Sequence, residues 1–330
     1  MEGPNQSDHP TDRHPGRPTE PAAPLVSSGP TAAEVVWGYV AKQAGVLFAY
    51  EPEVRVDGPD SVHKSRVAAR RTRSALKVYR AAVDAGAARG VARELRWYGE
   101  ALGAPRDAEV LRDYLLERIA DLDEGDLEGP VVDRLTASLN AEHARAHARL
   151  VEAMNTKRHD ALMTELADVA AARPASPEGE AAAGVLLPGL LADAIARVDG
   201  LRAHAEEAPE HLEGWHDVRK AAKAVRYCAE ALVDAFGEPA AEIASAWEAV
   251  TEAFGEVQDT VVSAEVLGRH AWAAELAGEP VRPYTLLVEG ELDRRLVALR
   301  RGVEALDYAL EMGAKLPDVT AARSAGASST

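Results

Sequence analysis

The chain has 330 residues, 47% hydrophobic and 28% charged, a balance that supports a packed interior and excludes a wholly disordered polymer. Its formal net charge of −17 has the wrong sign for a domain that binds nucleic acid over its whole surface. One cysteine, Cys228, leaves no disulfide framework or cysteine-based metal site and fits a reducing compartment, while only 5% aromatic residues and abundant Ala favour helix over sheet.

Residues 1–30 are Pro, Gly, Ser, Asp and His with little apolar content, so a disordered N-terminal tail without a signal-peptide core is predicted. No later run approaches the roughly 20 apolar residues that cross a bilayer, so no membrane association is expected and a cytoplasmic protein is. Thr31 reads as an N-cap, with Glu34 completing a capping box, for a helix that runs to about Ala49 and stops ahead of Pro52. A loop at Gly58-Pro59 then leads to Asp60 or Ser61, either suited to cap the next helix.

That next helix, Val62 to Arg80, contains no carboxylate. His63, Arg66, Arg70, Arg73, Lys77 and Arg80 fall within an arc of roughly 100° on a helical wheel. Ala68, Ala69, Thr72, Ala75, Leu76 and Tyr79 supply the opposite, packing face. Lys64, Arg71 and, later, Lys220 leave the stripe and read as peripheral. A basic stripe is ordinarily a solvated face balanced by acids; here no i+4 acid balances it, which points to an anion site.

Gly86 and Gly90 are expected to separate this helix from Val91 to Leu102, and Pro105 to break the chain before a helix from Ala108 to Leu122. Asp107 then reads as an N-cap, and Arg106 as either a carboxylate partner or a contributor to the basic face. Pro130 opens a helix to Met154, on which His143 and His147 stand four residues apart; a solvated face is the expected reading, since no third ligand accompanies this zinc-compatible spacing. Lys157-Arg158-His159 precedes a helix to Ala171, and residues 171–180 read as a linker.

The second half opens with an apolar helix from Val185 to Glu207 and repeats the basic design from Trp215 to Val233. His216, Arg219, Lys223 and Arg226 lie 153 residues after His63, Arg66, Arg70 and Arg73, above a buried side of Val218, Ala222, Val225, Ala229 and Leu232. Helices from Ala240 to Phe254, Thr260 to Ala277 and Leu286 to Leu310 follow. The segment Leu102-Gly103 to Asp107 recurs as Phe254-Gly255 to Asp259, 152 residues on, which agrees with the first offset to one residue and marks a duplication. Lys77 and Arg80 correspond to Glu230 and Val233, and Arg106 to Gln258, so the first copy is the more cationic.

The duplicated His-x-x-Arg-x-x-x-Arg/Lys-x-x-Arg helices, each followed by Gly-x-x-Arg/Gln-Asp, resemble the CHAD family, the conserved histidine α-helical domain. The resemblance covers about residues 31–312. It implies an all-α fold of two four-helix-bundle repeats related by a pseudo-two-fold axis, about 31–172 and 184–312, joined by a linker at about 173–183. A C-terminal tail, 313–330, is expected to be disordered. It further implies a basic central pore or groove that binds inorganic polyphosphate through His63, Arg66, Arg70, Arg73, Lys77, Arg80, His216, Arg219, Lys223 and Arg226. Arg106 and Arg158 are candidate contributors, Arg158 because its segment resembles a family segment from which Thr156 and His159 depart. Targeting to polyphosphate granules follows from that ligand.

Neither a P-loop, a Gly-x-Ser-x-Gly element nor a carboxylate cluster accompanies the stripes, so a non-catalytic binder without metal or cofactor is expected. A metal-dependent phosphohydrolase using His63 and His216, and a nucleic-acid-binding protein, are the alternatives. The second is disfavoured by net charge and by the lack of stacking aromatics in the stripes.

Overall fold

A capping box starts the fold as its residues predict: Thr31 N–H donates to Glu34 at 2.8 Å and Glu34 N–H to Thr31 Oγ1 at 3.2 Å. The computed structural model describes residues 29–313, 315 and 316. The two predicted tails lie almost wholly outside these. Among the described residues there are nine α-helices and two short 3-10 turns: α1 Ala32–Arg55, α2 Ser61–Val78, α3 Ala85–Ala120, α4 Val131–Met154, α5 Lys157–Ala172, α6 Ala183–Glu206, α7 Leu212–Phe236, α8 Glu238–Leu276 and α9 Arg282–Met312. Extended pairing among them is limited to two isolated bridges, Thr31 with Ala182 and Val83 with Ala175.

Three predicted breaks are continuous helix instead. α1 passes through Pro52 to Arg55, because the ring removes one N–H near an end whose turn is closed by Gly58 N–H on the Glu53 carbonyl at 2.8 Å and anchored by buried Val54. α3 starts at Ala85, capped by Asp84 through the N–H groups of Gly86 and Ala87, and runs unbroken through Pro105. α8 likewise carries Gly255 in its interior and joins the two expected helices. Asp107 is therefore no N-cap. α2 begins without a side-chain cap bond: Asp60 is left-handed (φ 57°), and Ser61 Oγ donates to the Gly58 carbonyl at 2.7 Å.

Among the described residues the first half holds five helices and the second four, α5 being the additional one. One main core joins both halves. Trp37, Trp247, Tyr79, Leu95 and Leu102 are fully buried in or beside it, each contributing about 2–3 kcal/mol of transfer free energy. A smaller core at the far ends of α3, α4, α8 and α9 gathers Leu115, Ile119, Leu135, Leu267 and Leu287. The halves thus meet along α2 and α7 and again at the tips of two long helical hairpins, where Tyr114 Oη donates to Glu291 Oε2 at 2.7 Å.

The linker is fastened rather than loose. Trp37 Nε1 donates to the Pro174 carbonyl at 2.8 Å, Ser176 Oγ donates to the Ala81 carbonyl, and a Cβ on Gly179 would lie 1.9 Å from the Ala82 carbonyl oxygen. Only glycine permits that approach.

Candidate functional site

α2 and α7 turn their apolar faces toward each other, and this contact sets the site. All six packing residues predicted on α2, and all five on α7, are buried. Tyr79 Oη, inside the contact, donates to the Cys228 carbonyl at 2.9 Å. The basic edges of both helices are thereby brought together beside the crossing.

Arg66, Arg70 and Arg73 line a groove of about 410 Å3 against α3, walled by Gly99, Gly103 and Asp107. Arg66 Nη1 pairs with Asp107 Oδ1 at 2.5 Å, and its guanidinium lies over Gly103, where an added Cβ would be 3.6 Å away. The second half repeats this: the Arg219 guanidinium lies over Gly255, 3.5 Å from an added Cβ, with Asp259 nearby. A side chain larger than a methyl at either glycine would displace the guanidinium. Arg70 Nη2 donates to Tyr227 Oη at 2.9 Å.

Protonation energetics follow from that crowding. Burial pulls the Lys223 ammonium down to about 7, helped by the neighbouring Arg219, Arg70 and Arg66. Burial also lowers Arg219, with Asp259 opposing and Arg70 and Arg66 adding to it. Asp259 is raised by burial, against the pull of Arg219 and Lys223. His63 is lowered by burial and by Arg106, so its imidazole is neutral at neutral pH. Arg219 Nε and His216 Nδ1 are buried without a hydrogen-bond partner among the described residues.

The other expected residues are distributed differently. Arg226 is committed to carboxylates, 3.1 Å from Glu230 and paired also with Glu248, so it is neutralised in the free protein. Arg106 pairs with Glu109 at 2.7 Å. Arg158 pairs with Glu94 at 2.6 Å and stacks on Trp97, on the side of α3 turned roughly 180° from Gly99 and Gly103. It stands apart from the basic groove. Lys77 and Arg80 line a separate cavity with α6 and α7. The peripheral cations find local partners: Lys64 donates to Tyr50 at 2.9 Å, Arg71 pairs with Glu230 at 2.7 Å, and Lys220 with Asp217 at 2.5 Å.

The two helical histidines do not form a solvated face. His143 Nε2 meets Asp57 Oδ2 at 2.7 Å and Nδ1 meets the Pro105 carbonyl at 3.0 Å, while His147 Nε2 lies 2.8 Å from the Val54 carbonyl. They brace the α1–α2 loop against α3 and α4. Tyr227 was not singled out from sequence, although three guanidiniums, of Arg70, Arg71 and Arg226, lie within 5.8 Å of its ring. Its position four residues after Lys223 was the available signal.

The fold and site together define an all-helical domain in which two histidine-led basic helices pack against one another across its centre. The chain belongs to the CHAD domain family, which matches residues 38–268, inside the span expected from the duplicated motifs. It is similar to PptA from Streptomyces chartreusis, at 19% identity and TM-score 0.70, over 84% of this chain and 99% of that one. It is also similar to the crystal structure of the CHAD domain from the plant Ricinus communis, at 21% identity and TM-score 0.63, over 88% of this chain and 97% of that one. In sequence it is 29% identical over 263 residues to Rv2226 of Mycobacterium tuberculosis strain H37Rv and to MT2285 of strain CDC 1551, covering 79% of this chain. The chain spans about half the length of these curated relatives. No helix among the described residues is long and apolar enough to cross a membrane.

Proposed function

We propose that the chain binds inorganic polyphosphate, without turning it over, in the cleft beside the α2–α7 crossing. The observation that carries this reading is the convergence of Arg66, Arg70, Arg73, Arg219 and Lys223 around two carboxylates, Asp107 and Asp259, in a protein of net charge −17. Burial first, and then the neighbouring guanidiniums, pull Lys223 to about 7, and a polyanion relieves the repulsion among these cations. A phosphate chain suits the array because it presents evenly spaced charge and no base edge to read, while Arg supplies forked donors.

His63 and His216, at the N-terminal ends of the stripes, add hydrogen-bond donors to a bound phosphate chain. The paired arrangements of Arg66 over Gly103 and Arg219 over Gly255 support a pseudo-two-fold relation between repeats at about 31–172 and 184–312. The second meeting of the halves at the hairpin tips supports enclosure of the cleft as a pore. Association with polyphosphate granules would follow from this binding.

The test is isothermal titration calorimetry with long-chain polyphosphate at two salt concentrations, on the wild type and on Arg66→Ala/Arg70→Ala/Arg73→Ala. Tight, salt-weakened binding that collapses in the triple variant is expected. Equal binding by both proteins would move the site elsewhere, and absence of binding would leave the resemblance as fold alone.

A further inference from the structure

Beyond the α2–α7 crossing, α2, α6 and α7 enclose a second cavity of about 540 Å3. Lys77 and Arg80 stand on its α2 side, Arg197 on α6 and Lys220 on α7. Two carboxylates share the lining, and one of them, Asp217, is held by Lys220 at 2.5 Å. Lys77, Arg80 and Arg197 form no ion pair among the described residues. No residue lines both this cavity and the groove of Arg66, Arg70 and Arg73.

The floor of this cavity is broader than the one Leu95 gives the first groove, with leucines from α6 and apolar residues from α2 and α7. Leu190 and Leu201 of α6, Val78 of α2 and Ala221 of α7 reach the cavity while packing on the main core, so an apolar surface lies directly beneath the cations. At the corresponding positions of the second half, Glu230 is paired with Arg71 and Arg226. The cavity therefore lies between α2 of the first half and α6 and α7 of the second, and Lys77 and Arg80 have no cationic counterparts at Glu230 and Val233.

We propose that this cavity binds an anionic amphiphile, a phosphate head on an alkyl body, with Lys77, Arg80 and Arg197 holding the head and Leu190 and Leu201 receiving the chain. A bare phosphate chain gains nothing from Leu190 and Leu201, whereas an alkyl chain buries them. A nucleotide would find no aromatic side chain in the lining on which to stack its base. The floor lies down between three helices rather than on a protruding face, so the ligand is a monomer in solution and not a membrane surface. This inference stands independently of polyphosphate binding in the first cleft.

The experiment titrates the full chain with hexyl, octyl and decyl phosphate below their critical micelle concentrations. Saturable binding is expected, strengthening roughly tenfold for each two methylenes buried. Arg80→Ala/Arg197→Ala should weaken it at least about tenfold, and Arg66→Ala/Arg70→Ala should leave it unchanged. Leu201→Asn, at a partly exposed position where folding can be checked by circular dichroism, should flatten the chain-length dependence. The proposal is overturned by absence of saturable binding, by affinity indifferent to chain length, or by full affinity in the Arg80/Arg197 variant. Displacement of decyl phosphate by equimolar inorganic triphosphate would overturn it too, by making the cavity an extension of the first cleft. So would co-sedimentation with phosphatidylcholine vesicles containing phosphatidic acid in the absence of monomer binding.

Discussion

Lys223 offers the most direct test of the cleft, through pH. Its ammonium lies near Arg219 on its own helix, Arg66 and Arg70 on α2 and the carboxylate of Asp259 on α8; burial and the guanidiniums together lower it to about 7 from an ordinary 10.5. A bound polyanion replaces like charge by opposite charge and returns the group toward its ordinary value. The sign follows directly: the free protein loses this proton as pH rises through about 7, the complex keeps it, and affinity falls as pH rises. At about pH 8.5 only about one free molecule in thirty retains the proton, so long-chain polyphosphate should bind about thirtyfold more weakly than at about pH 6, a difference of about 2 kcal/mol. Calorimetry in two buffers of different ionisation enthalpy at about pH 8 should register uptake of close to one proton. Lys223→Arg keeps the charge and should remove the pH dependence; Lys223→Met should remove it at lower affinity. His63 is already lowered by burial and Arg106, so above neutrality the window belongs to Lys223. Affinity that stays flat across this range, or falls as steeply in Lys223→Arg, refutes the reasoning.

Glu230→Gln should have opposite effects on stability and binding. It removes the partner of Arg71 at 2.7 Å and of Arg226 at 3.1 Å, costing about 1–2 kcal/mol in urea unfolding, while leaving Arg226 with Glu248 alone and removing one negative charge should raise polyphosphate affinity severalfold. His143→Ala should lower the melting temperature more at about pH 5.5 than at about pH 8. Burial opposes protonation of His143, but Asp57 and the Pro105 carbonyl raise its pKa above 6.5 on balance, so its contribution is complete below 6.5 and is lost as pH rises through the folded value. The effect should stay under about 1 kcal/mol because solvent screens the pair, and a loss independent of pH would show that the brace is not ionic. Gly179→Ala should destabilise the fold by about 2 kcal/mol or more, since its Cβ would press on the Ala82 carbonyl; an unchanged unfolding midpoint would mean the linker yields freely.

Much of this protein was legible before its structure. The 3.6-residue period separated Ala68, Ala75 and Leu76 from Arg66, Arg70 and Arg73, because burial and charge cannot share a helix face. The capping box at Thr31 and Glu34 was equally legible, being complete within four residues. Pro52, Pro105 and Gly255 misled because proline and glycine set a cost rather than a conformation. Where packing on both sides of α3 or α8 outweighs one missing N–H or one flexible residue, the helix continues.

The sequence by itself determined which helices carry the cations, that the design occurs twice, and which side of each helix is buried, since these depend only on order and spacing along the chain. Tertiary structure decided which cations act together. It set Arg66, Arg70 and Arg73 along one groove and brought Arg219 and Lys223 within electrostatic reach of Arg66 and Arg70, paired Arg226 with Glu230 and Glu248, sent Arg158 to the far side of α3, and gave Lys77 and Arg80 to a cavity with an apolar floor. The physical reason is that electrostatic neighbourhood depends on distance through space, and helices that cross bring together residues more than 150 positions apart.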